Sequence, residues 1–186
     1  YIITDGQHTF LALKERGERV FYIESDEFTI DDIPQYNSIP KGWSFDDYLG
    51  HWCHRRIRDY QIYAGFKNRS GWSHTNLMLM LSKNIKGTLK AFKTGQFKIV
   101  MDISTANNYV DMVTDFADYV VFYKNRSFIK ACLRMFEQEI YDHKKMMRKM
   151  EYQSERINKQ LYWEDYLRQF EEVYNYKSMG NRVRFF

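Results

Sequence analysis

Apolar and aromatic side chains recur at helical spacing over most of this chain, from Ser44 towards the C-terminus. Ser44 is followed three residues later by Asp47, which has the pattern of a capping box, and the aromatic positions after it predict one helix that runs to about Phe66. The same spacing predicts a short buried helix at residues 77–81, one capped by Ser104 or Thr105, one capped by Ser127, and a last helix over residues 152–174. Residues 44–186 are therefore predicted to form a mainly helical domain.

Composition and charge limit the class of protein. At 186 residues, of which 44% are hydrophobic, the chain is long enough for one substantial core. The 28 Lys and Arg exceed the 24 Asp and Glu by four, a mild excess that permits an acidic partner without demanding one. Two cysteines, Cys53 and Cys132, are too few for a disulfide framework, which is typical of a reducing compartment. We expect a cytoplasmic protein with no membrane partner, since no apolar run approaches the roughly 20 residues of a spanning helix.

The first 43 residues have a different pattern. Residues 1–4 and 20–23 are apolar, β-branched or aromatic runs that predict two strands, and Gln7 to Arg16 predicts a helix that ends at Gly17. Because Tyr1 stands inside the first predicted strand, we expect that an N-terminal portion is missing. Residues 26–43 contain both prolines, Pro34 and Pro40, and predict a linker or an ordered loop.

These patterns together predict an α+β fold. A small strand-helix-strand unit, truncated at its N-terminus, would occupy residues 1–43 together with the linker, and a helical bundle would occupy residues 44–186. A further β-like run is expected at residues 97–103.

The most distinctive local feature is the tetrapeptide Asp5-Gly6-Gln7-His8, where the first predicted strand meets the helix. A glycine turn before a helix N-terminus exposes backbone N–H groups at the positive end of the helix dipole, where a phosphate can bind. Gly6 would allow close approach, Gln7 and His8 could donate hydrogen bonds, and Asp5 could bind a metal or accept from a ribose. On the residues alone, a turn in which Asp5 only caps the helix is the commoner explanation.

The segment YIITDGQHTFLALKERGERVFYIE, residues 1–24, resembles the core of the ParB/sulfiredoxin superfamily. In its DGQHR-type members a box of Asp-Gly-Gln-His-Arg opens the helix. The corresponding residues here, which we call the Asp5 box, are Asp5, Gly6, Gln7, His8 and Thr9. The resemblance implies a nucleotide-binding box, with CTP or ATP and Mg²⁺ as cofactors, in a protein of a bacteriophage or mobile element. Thr9 replaces the arginine that holds nucleotide phosphate in relatives, and Gln7 replaces the catalytic cysteine of sulfiredoxin, which favours binding over catalysis.

Two groups of basic residues are candidates for contacts with nucleic-acid phosphates. They are Arg55, Arg56 and Arg58, and Lys144, Lys145 and Arg148. A solvated helix face is the more frequent explanation of such a run, and composition alone does not favour nucleic-acid binding. His51, Cys53 and His54 are of metal-ligating types, but no second ligand pair stands at a recognisable spacing, and we predict no metal site.

Three functions remain open from the sequence. The first is a ParB-like protein that binds a nucleotide or DNA, in which the helical region contacts DNA or a second subunit as a homodimer. The second is an interaction protein that uses the ParB-like unit as a scaffold and binds a host or phage protein. The third is a metal-dependent nuclease or NTPase in which Asp5 and His8 are catalytic.

Overall fold

The computed structural model of the chain describes residues 3, 6–27, 29–36, 42–83, 86–178, 180 and 182–185. The described residues form α-helices joined by short turns, with 3₁₀ segments at Asp115–Asp118 and Ser154–Arg156. The helices are α1 (Gln7–Glu15), α2 (Ile33–Tyr36), α3 (Phe45–His54), α4 (Arg58–Ser70), α5 (His74–Leu81), α6 (Thr88–Lys93), α7 (Ile103–Thr114), α8 (Arg126–Phe136), α9 (His143–Gln153) and α10 (Trp163–Asn175).

The predicted α+β fold is wrong, because the described part of the chain contains no strand. The second predicted strand, residues 20–23, is irregular, and Phe21 and Ile23 are 90% and 96% exposed. A strand forms only where a neighbouring strand pairs its backbone N–H and C=O groups, and no described segment does so here. A sulfiredoxin fold is therefore not formed, although the predicted helix appears as α1. Of the first predicted strand, Tyr1, Ile2 and Thr4 lie outside the described residues.

The β-like run predicted at residues 97–103 is also not a strand. Phe97 and Met101 are buried, and the backbone N–H groups of Val100 and Met101 both donate to the carbonyl of Leu81 at 2.8 and 3.1 Å. The segment therefore packs across the end of α5 as an irregular connection and then enters α7 at Ile103.

The capping box predicted at Ser44 is confirmed. The Ser44 hydroxyl accepts from the Asp47 N–H, and the Asp47 carboxylate accepts from the Ser44 N–H at 2.8 Å. The single helix predicted from there to Phe66 is instead two helices, because Arg56 has a left-handed φ of 59° that ends α3 before α4 begins. Of the residues predicted as the start of the last helix, 152 and 153 end α9, and residues 154–162 separate α9 from α10.

The N-caps of α7 and α8 both stand earlier in the chain than the residues predicted to cap these helices. α7 is capped by Asp102, whose carboxylate accepts from the Thr105 N–H at 2.9 Å, rather than by Ser104 or Thr105. α8 begins after Asn125, and the Ser127 hydroxyl donates to the carbonyl of Leu161 at 2.7 Å. The N-cap of α7 stands two or three residues before the predicted one, and that of α8 stands two residues before it.

The buried side chains form one apolar core that joins α3 to α10. α8 packs against α10 through edge-to-face ring contacts, with the centroids of Phe128 and Phe170 5.2 Å apart. Ile33 in α2 is also buried, and Asp31 pairs with Arg55 at 2.8 Å, so contacts cross the boundary predicted at residues 43 and 44. Among the described residues, no helix is both long and apolar enough to cross a membrane.

Candidate nucleic-acid interface

The outer face of α9 carries cations along a single line. Met146 and Met150 are buried against the core, which turns the opposite side of the helix to solvent. Lys144, Arg148 and Tyr152 follow one another at intervals of four residues and are all exposed, Tyr152 by 71%. Residues four apart on a helix are neighbours, so this line presents two positive charges and one aromatic ring.

More cations meet beside this line, around Tyr176 at the end of α10. The Lys149 ammonium donates to the carbonyl of Tyr176. The Arg156 guanidinium lies 5.5 Å from the centroid of the Tyr176 ring, and the Lys177 ammonium lies 5.3 Å from it. We call this set the α9 cationic surface, and its members are Lys144, Lys145, Arg148, Lys149, Arg156 and Lys177.

The charges of this surface are crowded and lack carboxylate partners. Within the part of the chain that the structure describes, none of the six cations forms an ion pair. Burial, together with the positive charges of Lys149 and Arg148, lowers the pKa of Lys145, although Asp142 acts in the opposite direction. Since this repulsion disfavours the charged lysine, a bound anion would relieve it.

Glu151 is the acidic neighbour on the same helix. Burial and then the charge of Glu151 raise the pKa of Tyr119, so this carboxylate acts on the side of α9 that faces the Asp115–Asp118 segment. The Lys145 ammonium is on the α10 side, 4.0 Å from the ring centroid of Tyr174. Glu151 also stands three residues after Arg148 and is exposed, so it offsets part of the positive charge of the exposed line, whereas the flank that faces α10 carries Lys145.

The other predicted basic group lies at the α3–α4 corner. Arg55 follows α3 and donates to the Asp31 carboxylate at 2.8 Å, which neutralises it in part. Arg56 and Arg58 are exposed, and Arg58 begins α4. The structure places these arginines on different elements from Lys144, Lys145 and Arg148, which share α9.

The Asp5 box lies at the start of α1, and Asp5 itself is outside the described residues. Gly6 is the N-cap with a left-handed φ of 71°, and the Gln7 amide donates to the carbonyl of Ile3 at 2.8 Å. His8 and Thr9 are exposed in the first turn, and no residue of α1 is buried. The described part of the box thus supplies a helix N-terminus without an enclosing wall, which does not by itself fit a nucleotide. No group of His, Cys, Asp and Glu that could hold a metal occurs among the described residues.

A histidine that the sequence did not single out, His74, is held between two helices. Its Nε2 lies 2.9 Å from the Asp46 carboxylate of α3, and its Nδ1 lies 3.0 Å from the Tyr63 hydroxyl of α4. Its ring also stacks on Tyr63, with centroids 5.7 Å apart. The Tyr63 hydroxyl also lies 3.1 Å from the backbone carbonyl of His74, so Tyr63 holds both the ring and the backbone of this residue.

His143 repeats this arrangement at the start of α9. Its Nε2 lies 2.8 Å from the Asp115 carboxylate, and its Nδ1 lies 2.8 Å from the Tyr141 hydroxyl. In both clusters the aspartate precedes the histidine by 28 residues, and the histidine is the first residue of its helix. Both imidazoles are largely covered and fully bonded, so we interpret them as fixing helix starts rather than as reacting groups.

His51 and Cys53, of the predicted metal-type residues, pack into the protein. The His51 ring stands edge-on to Trp52, with centroids 4.5 Å apart, and burial lowers the pKa of His51. Burial likewise raises the pKa of the half-buried Cys53 thiol.

Comparisons of the chain with family models, with curated proteins and with solved structures give no match. The α9 cationic surface is thus the feature from which we derive a function.

Proposed function

We propose that the protein binds DNA through the α9 cationic surface. The observation that carries the proposal is the gathering of six cations on α9 and beside Tyr176 without a carboxylate partner among the described residues. The resemblance of residues 1–24 to ParB-like proteins of bacteriophages and mobile elements implies the same class of partner. Unpaired cations favour a polyanion because neutralising its phosphates releases condensed counterions.

The two rows of cations suggest how the backbone would be held. Lys144 and Arg148 are four residues apart on the exposed line, so they are separated by about 6 Å of helix axis. Residues at this spacing are neighbours on one side of a helix, so both cations can approach the same strand. Lys145 and Lys149 flank the line with the same period. Phosphates bound along the two rows would offset the mutual repulsion of these cations.

Tyr152 extends the exposed line by one turn and offers a ring rather than a charge. Aromatic rings next to a cationic track stack on the bases of single strands, each contributing about 1–3 kcal/mol. In a duplex the bases are already stacked, so the ring would add little. We therefore expect single-stranded DNA to bind more tightly than duplex DNA of the same sequence.

The test is the salt dependence of binding, measured by fluorescence anisotropy with a labelled single strand and with its duplex. The variant combines Lys144→Gln with Arg148→Gln, and its matched control combines Lys86→Gln with Lys90→Gln, two exposed lysines at the same spacing. For the duplex, the α9 variant should bind more weakly and lose about 2 from the slope of log K against log salt, about 0.9 for each lost phosphate contact. The control variant should keep both the affinity and the slope.

Tyr152→Ala separates stacking from charge. It should weaken the single strand by about five- to hundredfold, which corresponds to the 1–3 kcal/mol of one stacked base, and leave the duplex and both salt slopes unchanged. If neither DNA binds at low salt, or if the control loses as much affinity as the α9 variant, the proposal is wrong.

The other expected functions stay predictions. Binding of CTP or ATP with Mg²⁺ at the Asp5 box is one, and nuclease or NTPase activity by Asp5 and His8 is another. A host or phage protein partner and a homodimer are likewise untested by the contacts described above.

A further inference from the structure

A cleft of about 580 Å³ opens between the α3–α4 corner, the turn after α6 and the segment that contains Asp31 and Asp32. Its volume falls within the range of about 300–1,000 Å³ that is usual for small-molecule sites. None of the residues of the α9 cationic surface lines it. The cleft is therefore a separate feature from the proposed DNA surface.

The apolar wall of the cleft is aromatic on one side. Tyr48 and Trp52 of α3 form that side, and Ile57 and Pro34 face it from α4's N-cap and from α2. Tyr48 and Trp52 are 8% and 4% exposed, so their rings are held in place by the core behind them. Only a small part of each ring reaches the cleft, and together the two rings give it an apolar edge against which a flat ligand can lie.

Gly95 is required for this shape. It has a φ of 76°, in the left-handed region, and a Cβ at this position would lie 3.0 Å from three atoms of the Trp52 ring. The turn after α6 can approach the indole only because residue 95 has no side chain.

The polar groups of the cleft differ in how many of their hydrogen-bond donors and acceptors are already used by the protein. Each carboxylate is bonded through one of its oxygens, that of Asp31 to Arg55 at 2.8 Å and that of Asp32 to the N–H and hydroxyl of Thr29, each at 2.8 Å. Lys93 has no carboxylate partner among the described residues, and its ammonium lies over the Tyr48 ring, 5.9 Å from the centroid. Arg55 bonds Asp31 through one terminal nitrogen, so its other edge keeps N–H donors.

We propose that the cleft binds a small aromatic carboxylate. The ring lies against Tyr48 and Trp52, and the carboxylate accepts from the Lys93 ammonium and from the free edge of Arg55. Arg55 suits this role because a guanidinium edge matches the two oxygens of a carboxylate. Arg55 neutralises Asp31, and the Lys93 ammonium has no carboxylate partner among the described residues, so the cleft offers a cation with which an anion can pair.

Three probes test the ring and the charge separately by isothermal titration calorimetry. Indole-3-acetate has both, indole-3-ethanol has the ring alone, and acetate has the charge alone. We expect indole-3-acetate to bind about ten- to hundredfold more tightly than indole-3-ethanol, which is the ratio that a charge-assisted hydrogen bond produces, and acetate to give no measurable binding. Equal affinities for the two indoles, or no binding of indole-3-acetate, would overturn the proposal.

Two variants locate the site. Lys93→Gln should remove the advantage of indole-3-acetate over indole-3-ethanol and leave the binding of indole-3-ethanol unchanged. Its control, Lys90→Gln, changes an exposed lysine of the same helix outside the cleft and should bind both indoles as the unchanged chain does. If Lys93→Gln keeps the full advantage, or if Lys90→Gln loses it, the carboxylate is not held where we place it.

Discussion

Replacing Tyr60 by phenylalanine removes one hydroxyl from the contact between α4 and α6. That hydroxyl donates to the carbonyl of Phe92 at 2.8 Å and accepts from the N–H of Phe97 at 3.2 Å, and Tyr60 is fully buried. Leaving a buried donor or acceptor unpaired costs about 1–3 kcal/mol, so the loss of both bonds should lower the free energy of unfolding by about 3 kcal/mol. For a chain of this size, the melting temperature should fall by about 6–12 °C.

The matched control is Tyr166→Phe, the same chemical change in α10. Tyr166 is also fully buried, and its ring centroid lies 5.3 Å from that of Phe128. Its hydroxyl, however, is buried without a hydrogen-bond partner among the described residues. Removing a polar group that was buried at a cost should leave stability unchanged or raise it by about 1 kcal/mol.

Urea unfolding followed by far-ultraviolet circular dichroism measures both variants. The denaturant midpoint should fall for Tyr60→Phe and stay or rise for Tyr166→Phe, with the same m-value in each. Equal losses in the two variants would mean that packing of the ring, and not the bonding of the hydroxyl, decides the outcome. That result would refute the reasoning.

Two further predictions concern ionisation. Burial raises the pKa of Tyr60 to about 12, above the value of about 10 in an unfolded chain, and it raises the pKa values of Tyr63 and Tyr141 in the same direction. The stability that these neutral phenols contribute is fully present below about pH 10 and is lost as the pH rises through about 12. The urea midpoint of unfolding should therefore fall over that range, and a constant midpoint would contradict the prediction. Burial also raises the pKa of the Cys132 thiol well above its usual value and that of Cys53 less, and only the thiolate reacts with iodoacetamide. Mass spectrometry of the native protein should find Cys53 labelled first and Cys132 labelled only in denaturant, whereas comparable labelling of both would show that Cys132 is accessible.

The sequence predicted those parts of the fold that follow from neighbouring residues. The capping box at Ser44 and Asp47 depends on a spacing of three, and it is present. The strand predicted at residues 20–23 depends on a partner strand elsewhere, which no local pattern can supply, and it is absent from the described residues. The break at Arg56 also had no local signal, because arginine is an ordinary helix residue and its left-handed φ is unusual for a residue with a Cβ.

The same limit applies to the candidate sites. Lys144, Lys145 and Arg148 stand in one basic run, so the sequence could name them. Arg156 and Lys177 belong to the same surface only because the ends of α9 and α10 bring both of them to one tyrosine ring, that of Tyr176. The cleft beside Trp52 is assembled from three separate segments, and its single sequence signal, a glycine at position 95, is too common to be informative.

The lack of any buried side chain in α1 has a consequence for the order in which the protein opens. A helix of nine residues with no buried side chain is only marginally stable by itself, so its amide protons should exchange with solvent through frequent local opening. The amides of α8 and α10, which hold the core, should exchange only when the whole cooperative unit unfolds. A phosphate that binds the N–H groups of residues 6–9 would therefore have to keep α1 folded. Part of its binding free energy would be spent on that ordering.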